Sequence, residues 1–379
     1  MHDGVIKVLH MTKLGAGGIS TLTVNINRCL DLEKVRFDYL VFENEQTFYE
    51  NEVKKYKAEK RVVDIKKYEK NKFLLYWKKY VGVRALLKQY RYDIVHVDAS
   101  TPLDVVVGLA AKHEGIRTII LHSHISGDTK HSRFRSFYMN FCKVLMKFTF
   151  TDYFAISDSS ARFMFPKSIY EHKQYKIWSN GIIADNYIID LEKRNIIRKK
   201  LGISDEFVVG HIGRFSSEKN HEFLVNLFAE FLKKHNNSIL LLVGAGPLKG
   251  SVEKQCKTLD IEDKVIFYGT THEIPDVLNA MDTFVFPSKF EGLGIAAIEA
   301  QCTGLITFCS DGIPEETNVT DLFRRINGYD VQTWIRKIEK ENFEAKRVNK
   351  ISDVKRAGFD IDTVAREMEE FYIACAKQR

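Results

Sequence analysis

The sequence predicts an α/β protein made of two doubly wound domains in tandem, facing each other across a cleft. Three observations carry that expectation. The 379 residues exceed what one ordinary core organises. Short apolar runs alternate with helix-period stretches throughout, as in repeated βαβ units with parallel sheets. The alternation also starts afresh near residue 205, after a polar stretch at 185–200 that has no strand character and reads as a linker.

In the first half, strands are expected at 5–10, 39–42, 61–65, 94–97, 118–122 and 153–156, each a short run rich in Val, Ile, Leu or aromatics. Helices are expected between them at 21–30, 73–90, 104–113 and 135–147, where apolar residues recur every three to four positions. The second series places strands at 207–212, 239–243, 264–267, 283–286 and 305–308. Its helices fall near 221–235, 248–259, 274–280 and 294–303. A first domain is therefore expected over 1–185 and a second over 186–361. The amphipathic helix at 362–379 is expected to pack back on the first.

Composition narrows the class. An apolar fraction of 45% and a charged fraction of 28% are those of a soluble globular protein. No run approaches the ~20 apolar residues of a membrane span, and residues 1–11 lack the layout of a signal peptide. The six cysteines are scattered without a CxxC pair, which points to a reducing, cytoplasmic setting and away from a disulfide frame. Residues 1–185 hold 30 basic and 20 acidic residues, a net +10, whereas the remainder holds 27 and 30, a net −3. A basic front half suits a phospholipid surface, a lipid pyrophosphate or nucleic acid, or is simply a solvated lysine-rich surface.

Several constellations carry chemistry. Gly15, Gly17 and Gly18 follow the first strand and precede a helix, where backbone N–H groups can approach a phosphate. The same turn suits an NAD site, with Glu43 near a ribose, or is only a tight connection. In HIGRFSSEKN, Gly213 ends a strand, and Arg214 and Lys219 occupy the loop before the next helix. A guanidinium fork and an ammonium there can neutralise a diphosphate, although isolated cations are usually surface residues. In FEGLGIAAIEA, Gly292, Leu293 and Gly294 lead into a helix N-terminus, another favourable place for phosphate. Glu291 precedes those glycines, and Glu299 lies inside the helix among alanines and Ile298, where a carboxylate needs a partner such as ribose hydroxyls.

His122 and His124 stand at a strand end in LHSHISG. They read either as structural histidines or as groups acting on the transferred sugar or its acceptor; a zinc reading lacks a third ligand in evident range. The stretch 133–148 sets Phe134, Phe137, Tyr138, Phe141, Val144, Leu145 and Phe148 at helical spacing, with Arg135, Lys143 and Lys147 off that stripe. Core packing is the expectation for the stripe. A basic, aromatic-rimmed face lying on an anionic leaflet is the functional alternative, and residues 66–91, with Trp77 and Tyr80, repeat the style.

These segments, joined by HVDASTP at 96–102, KIWSNGI at 176–182, LLLVGAGPL at 240–248, VIFYGTTHEIPDVLNAMDTFVFPS at 265–288 and SDGIPEE at 310–316, resemble the retaining glycosyltransferases of family 4 in their exopolysaccharide and capsular-polysaccharide branch. The resemblance implies a GT-B fold of two Rossmann-like domains. It also implies transfer of a hexose or N-acetylhexosamine from a nucleotide-sugar, UDP-linked in the leading reading, to a polyprenyl-diphosphate-linked or other growing glycan. By that resemblance Arg214 and Lys219 hold the diphosphate, Glu299 the ribose and Glu291 the sugar hydroxyls. The backbone of Gly213 and of Gly292–Gly294 meets the donor, with Gly17 and Gly18 closing from the other domain. No metal or other cofactor, and no nucleic-acid partner, is expected. The sequence departs from the family pattern at Ser20, Ile183 and Ile306, where Glu, Asp and Pro are typical. An epimerase of the same architecture and an inactive partner subunit are the alternatives.

Overall fold

The computed structural model describes residues 4–15, 17–125, 133–343 and 346–377, apart from the side chains of 133–137. It divides into two compact units, Met1–Ile182 with Gly358–Arg379, and Ile183–Ala357.

Unit 1 runs β1 (Ile6–Met11), α1 (Gly18–Cys29), β2 (Val35–Val41), α2 (Glu50–Lys55), β3 (Lys60–Val62), α3 (Lys72–Gln89), β4 (Ile94–Ala99) and α4 (Val105–His113). It continues through β5 (Thr118–Ser123), α5 (Arg133–Thr149), β6 (Asp152–Ala155), α6 (Asp158–Met164), α7 (Lys167–Glu171) and β7 (Lys176–Ile177). Its sheet is ordered β3-β2-β1-β4-β5-β6-β7, and every pairing is parallel. Such a sheet is covered on both faces. Hence Ile94, Val95, His96 and Val97 are all fully buried, and the run loses its alternation.

Unit 2 contains α8 (Leu191–Lys200), β8 (Phe207–Ile212), α9 (His221–Leu232), β9 (Ser238–Val243), α10 (Lys249–Thr258), β10 (Val265–Gly269) and α11 (Ile274–Ala280). It is completed by β11 (Thr283–Phe286), α12 (Ile295–Cys302), β12 (Ile306–Ser310), β13 (Phe323–Ile326), α13 (Val331–Glu339) and α14 (Ile351–Arg356). The sheet order is β10-β9-β8-β11-β12-β13, again all parallel. Strand order therefore reverses between β1 and β4 in unit 1 and between β8 and β11 in unit 2. Beyond the carboxyl ends of strands flanking such a reversal, open α/β sheets bind their ligands.

The chain returns to unit 1 as α15 (Ile361–Lys377), which packs on α1, β1 and β2. Its entry is fixed by Ile182 N–H donating to Phe359 O at 2.8 Å and Ile361 N–H donating to Ile182 O at 2.9 Å. Gly181 is required there, because a Cβ would lie 2.8 Å from the Ile361 Cα.

Two expectations are corrected. The 185–200 stretch is not a linker. Its second half is α8, whose Arg194 and Arg198 pair with Asp282 at 2.6 and 3.3 Å within unit 2. Most of the described stripe on α5 does not pack in the core, Leu145 being the member that does. Met139, Cys142 and Met146 face inward, while Tyr138, Phe141, Val144 and Phe148 are 43–65% exposed. Phe134, Arg135 and Phe137 lie outside the described side chains. On α3, Phe73 and Trp77 are likewise exposed. No described helix is long and apolar enough to cross a membrane.

Candidate active site

The loops leaving β8 and β11, the two strands that flank the reversal in unit 2, are 213–220 and 287–294. They are joined to each other. Asn220, left-handed at φ 56° as the cap of α9, donates from Nδ2 to Pro287 O at 3.2 Å. Lys289 N–H donates to Glu218 O at 2.7 Å. Gly213 belongs to this construction, since a Cβ on it would meet His211 Nε2 at 2.9 Å and Lys219 Cδ at 3.3 Å. The neighbouring loop is equally close, with a Cβ on Gly246 falling 2.5 Å from Phe215 O.

Lys219 Nζ donates to Glu291 Oε1 at 2.5 Å and lies 4.9 Å from the Phe286 ring centroid. Both side chains keep a small opening to solvent, 17% and 12%. The ammonium is thus aimed by a carboxylate and an aromatic face rather than left to wander. Arg214 is exposed, and its guanidinium makes no hydrogen bond or ion pair among the described residues. Behind Lys219 the wall is uncharged. His211 Nδ1–H donates to Val285 O at 2.9 Å, and burial together with neighbouring His221 and Lys219 holds its pKa well below the usual imidazole range. Burial, then the Lys219 charge, depresses His221 to about 4.

Gly294 caps α12 at φ +87°, a conformation that L side chains rarely adopt. A Cβ there would also sit 3.2 Å from Phe286 Cε1. Thr317 Oγ1 anchors the preceding turn by donating to Leu293 O. Inside α12, Glu299 has the partner its apolar neighbours demand, Tyr187, whose hydroxyl donates to Oε1 at 2.6 Å. Burial still pushes the Glu299 pKa up to about 7. The residue as a whole keeps partial exposure, while its carboxyl group is buried.

Of the residues singled out in sequence, the structure brings Lys219 and Glu291 into contact and sets Arg214, Gly292, Leu293 and Gly294 on the same two loops. Glu299 is held separately by Tyr187. Tyr187, Phe286, His211 and His221 escaped notice. A histidine inside the otherwise apolar strand β8 was the one available signal for this last group.

In unit 1, Gly17 caps α1 with φ −112° and ψ 158°, and a Cβ on Gly15, Gly17 or Gly18 would meet nothing within 4 Å. The unit's own packing therefore does not demand these glycines; Ala16 lies outside the described residues. His122 and His124 are buried at 2% and 6% exposure. The expectation that no third metal ligand lies in range is overturned. Asp98 Oδ1 is 2.9 Å from His124 Nε2 and 3.8 Å from His122 Nδ1, with His96 and His10 beside it. The parallel register, which pairs Asp98 with His122, makes neighbours of residues 24 positions apart.

Comparisons with known proteins agree with this architecture. The family described as Glycosyltransferase Family 4 matches residues 16–186, and that described as Glycosyl transferases group 1 matches 193–340. The Bacillus subtilis protein EpsF, described as a glycosyltransferase, is 28% identical over 324 residues, 84% of this chain and 82% of that one. The Escherichia coli UDP-Gal:alpha-D-GlcNAc-diphosphoundecaprenol alpha-1,3-galactosyltransferase is 24% identical over 73% of this chain and 76% of its own. Among solved structures, Anabaena Alr3699/HepE in complex with UDP and glucose superposes with a TM-score of 0.76 at 18% identity, over 97% of this chain and 99% of that one. Sucrose-phosphate synthase of Thermosynechococcus elongatus gives 0.77 at 16% identity, over 99% and 100%. With a family 4 domain ahead of a group 1 domain and one parallel Rossmann-like sheet in each unit, the chain belongs to the GT-B glycosyltransferases and is a hexosyltransferase.

Proposed function

We propose that the protein transfers a hexose or N-acetylhexosamine from a UDP-sugar to a polyprenyl-diphosphate-linked glycan during surface-polysaccharide synthesis, with retention at the anomeric carbon and no metal in the transfer step. The observation that carries this reading is the joined pair of loops beyond β8 and β11, which present Arg214, the Lys219–Glu291 pair and the start of α12 together. Two cations and a helix N-terminus suit a pyrophosphate. A buried carboxylate such as Glu299 suits a ribose diol, whose hydroxyls bring hydrogen bonds without adding charge. The name of the Escherichia coli galactosyltransferase supports the choice of UDP and of a lipid-linked acceptor.

In this scheme the bond between the anomeric carbon and the β-phosphate oxygen breaks as the acceptor oxygen adds on the same face. The acceptor proton passes to the departing phosphate. Arg214 and Lys219 stabilise the negative charge that grows there, a role in which a fixed charge is worth most where water is excluded. Glu291 orients Lys219 and offers its second oxygen to the sugar hydroxyls. The scheme routes no step through a histidine.

The acceptor's lipid supports a second element, peripheral contact with an anionic membrane. Exposed Phe141, Val144 and Phe148 on α5 and Phe73 and Trp77 on α3, interspersed with exposed Lys147 and Lys72, form faces of the kind that lie in a headgroup layer. Incubation with labelled UDP-glucose, UDP-galactose and UDP-N-acetylhexosamines plus a polyprenyl-diphosphate acceptor tests the reading. A labelled lipid-linked product with retained configuration is expected in the presence of EDTA. Neither transfer nor hydrolysis with any donor would overturn it, and interconversion of UDP-sugars without acceptor would favour an epimerase.

A further inference from the structure

Unit 1 buries four histidines, an aspartate and a tyrosine that are linked by hydrogen bonds. The parallel register sets His10 of β1 opposite His96 of β4, and Asp98 opposite His122 of β5. His124 follows one residue beyond the end of β5, and Tyr372 enters from α15. All six are at most 6% exposed. Burial alone would raise the Asp98 pKa, but the hydrogen bonds from His10 and His124 outweigh it and hold the carboxyl well below its usual range. Asp98 is therefore ionised and can only accept. Burial, reinforced by the neighbouring histidines, keeps His96 and His122 well below the usual imidazole range, so each ring is neutral and carries one hydrogen.

The order of hydrogens runs outward from the carboxylate. His124 Nε2 lies 2.9 Å from Asp98 Oδ1 and His10 Nδ1 lies 3.2 Å from Oδ2, so both nitrogens donate. A neutral His10, its one hydrogen at Nδ1, accepts at Nε2 from the Tyr372 hydroxyl at 3.0 Å. The Tyr372 oxygen in turn accepts from His96 Nδ1–H at 2.7 Å. His96 Nε2 then accepts from His122 Nδ1–H at 3.2 Å. The two ends of this order are bare lone pairs, on His122 Nε2 and His124 Nδ1. Both atoms are buried and lack a hydrogen-bond partner among the described residues, a deficit that costs stability until a donor is supplied. Both rings stand at the carboxyl end of β5, the end of a parallel strand at which open α/β sheets bind ligands.

We infer that Asp98 and Tyr372 are positioning residues. Through His10 and His96 they fix His122 and His124 as hydrogen-bond acceptors, which take the hydrogen of a hydroxyl on the transferred sugar or on its acceptor. Each of the four acts by what it leaves on the next ring: Asp98 claims the His124 Nε2–H directly, and Tyr372 sets His122 through His96. A hydroxyl suits two bare nitrogens because it donates a hydrogen and brings no charge into a buried place. That the hydroxyl belongs to a substrate rests on the transfer reading proposed above, whereas the order of hydrogens does not. A second hydrogen on His10 would reverse every link as far as His122 and leave an N–H at Nε2, closing that atom to a hydroxyl hydrogen.

The test uses the full chain with 15N in its 12 histidines. NMR reads which nitrogen of each ring carries the hydrogen, and His122→Gln and His124→Gln identify the two signals. Hydrogen at Nδ1 of His122 and at Nε2 of His124 is expected. Tyr372→Phe removes both the donor to His10 and the acceptor for His96. The His96 hydrogen should then move to Nε2 and drive that of His122 from Nδ1 to Nε2, with His124 unchanged. In the transfer assay kcat/KM of Tyr372→Phe should fall about fivefold to tenfold, as for one lost hydrogen bond. A raised KM for the UDP-sugar places the hydroxyl on the donor, and a raised KM for the lipid-linked glycan places it on the acceptor. A tyrosine that only fills space would leave the ring hydrogens where they are. Nε2–H on His122 of the unaltered chain, an unmoved His122 hydrogen in Tyr372→Phe, or undiminished kcat/KM beside a moved one would overturn the inference. Should Tyr372→Phe fail to fold, the spectrum of the unaltered chain decides alone. The spectra need no glycosyl donor, so they decide the order of hydrogens even where no transfer is found.

Discussion

Lys219 Nζ donates to Glu291 Oε1 at 2.5 Å although the two residues lie 72 positions apart. The pair sits where the loops from β8 and β11 meet, so it serves the fold as well as the proposed donor site.

Lys219→Ala should therefore act twice. The Glu291 carboxylate, 12% exposed, loses its counterion, which should cost about 1–3 kcal/mol of stability. Turnover should fall about a hundredfold to a thousandfold, as when a donor to transition-state charge is removed. Adding Glu291→Gln should restore stability without restoring turnover. Urea unfolding beside a transfer assay separates the two, and normal turnover in Lys219→Ala would remove the lysine from the mechanism.

Burial raises the Glu299 pKa from 4.5 to about 7. The folded state thus holds this proton more tightly than the unfolded chain does. The stabilising contribution is full below pH 4.5 and is lost as the pH climbs to 7. Above that, the buried charge costs on the order of 3 kcal/mol. Melting curves of Glu299→Gln and the unaltered protein should nearly coincide at pH 5, with the variant melting higher at pH 8. Curves that stay parallel across this range would refute the assignment.

The Tyr187 hydroxyl lowers the Glu299 pKa by its hydrogen bond. If the ionised carboxylate receives ribose hydroxyls, UDP affinity rises between pH 6 and pH 8, and Tyr187→Phe shifts that rise to higher pH. Calorimetric titrations across the range check it. A variant that binds more weakly at every pH, with an unmoved midpoint, would mean that Tyr187 merely shapes the pocket.

Gly246→Ala places a Cβ 2.5 Å from Phe215 O and 2.7 Å from Phe215 N. Backbone there cannot swing aside as a side chain would, so the 213–215 segment must shift and carry Arg214 with it. A loss of about 1–3 kcal/mol in stability is expected, together with weakened UDP binding. Unchanged binding would show that donor affinity tolerates movement of that loop.

Replacing Phe141 and Phe148 by serine should leave the melting temperature unchanged, because both are more than half exposed. Sedimentation with vesicles rich in anionic phospholipid should weaken at least tenfold, given the value of burying two phenyl groups. Equal partitioning of variant and parent would discard the membrane-facing assignment.

The repeating architecture was legible because each strand of a covered parallel sheet is a compact apolar run, as at 239–243 and 283–286. The edge strands β7 and β13 were not, since KI is two residues long and FRRI carries two arginines. The position of Arg214 and Lys219 after a strand could be read directly. The contact of Lys219 could not, because Glu291 is 72 residues away and only tertiary structure joins them, as it joins Tyr187 to Glu299. The histidine cluster was hidden for the same reason, its members being drawn from β1, β4 and the end of β5. The α5 stripe misled for a different reason. Helical periodicity reveals that a face is apolar but not which way it points, and here methionines and a cysteine hold the interior while phenylalanines face out.

The placement of α15 sets an order of events during biosynthesis. Every residue of Ile183–Ala357 is synthesised before Tyr372, whereas β1 and β4 must wait for that tyrosine to cover His10 and His96. The polar patch on β1 and β4 therefore stays half covered until the returning helix docks.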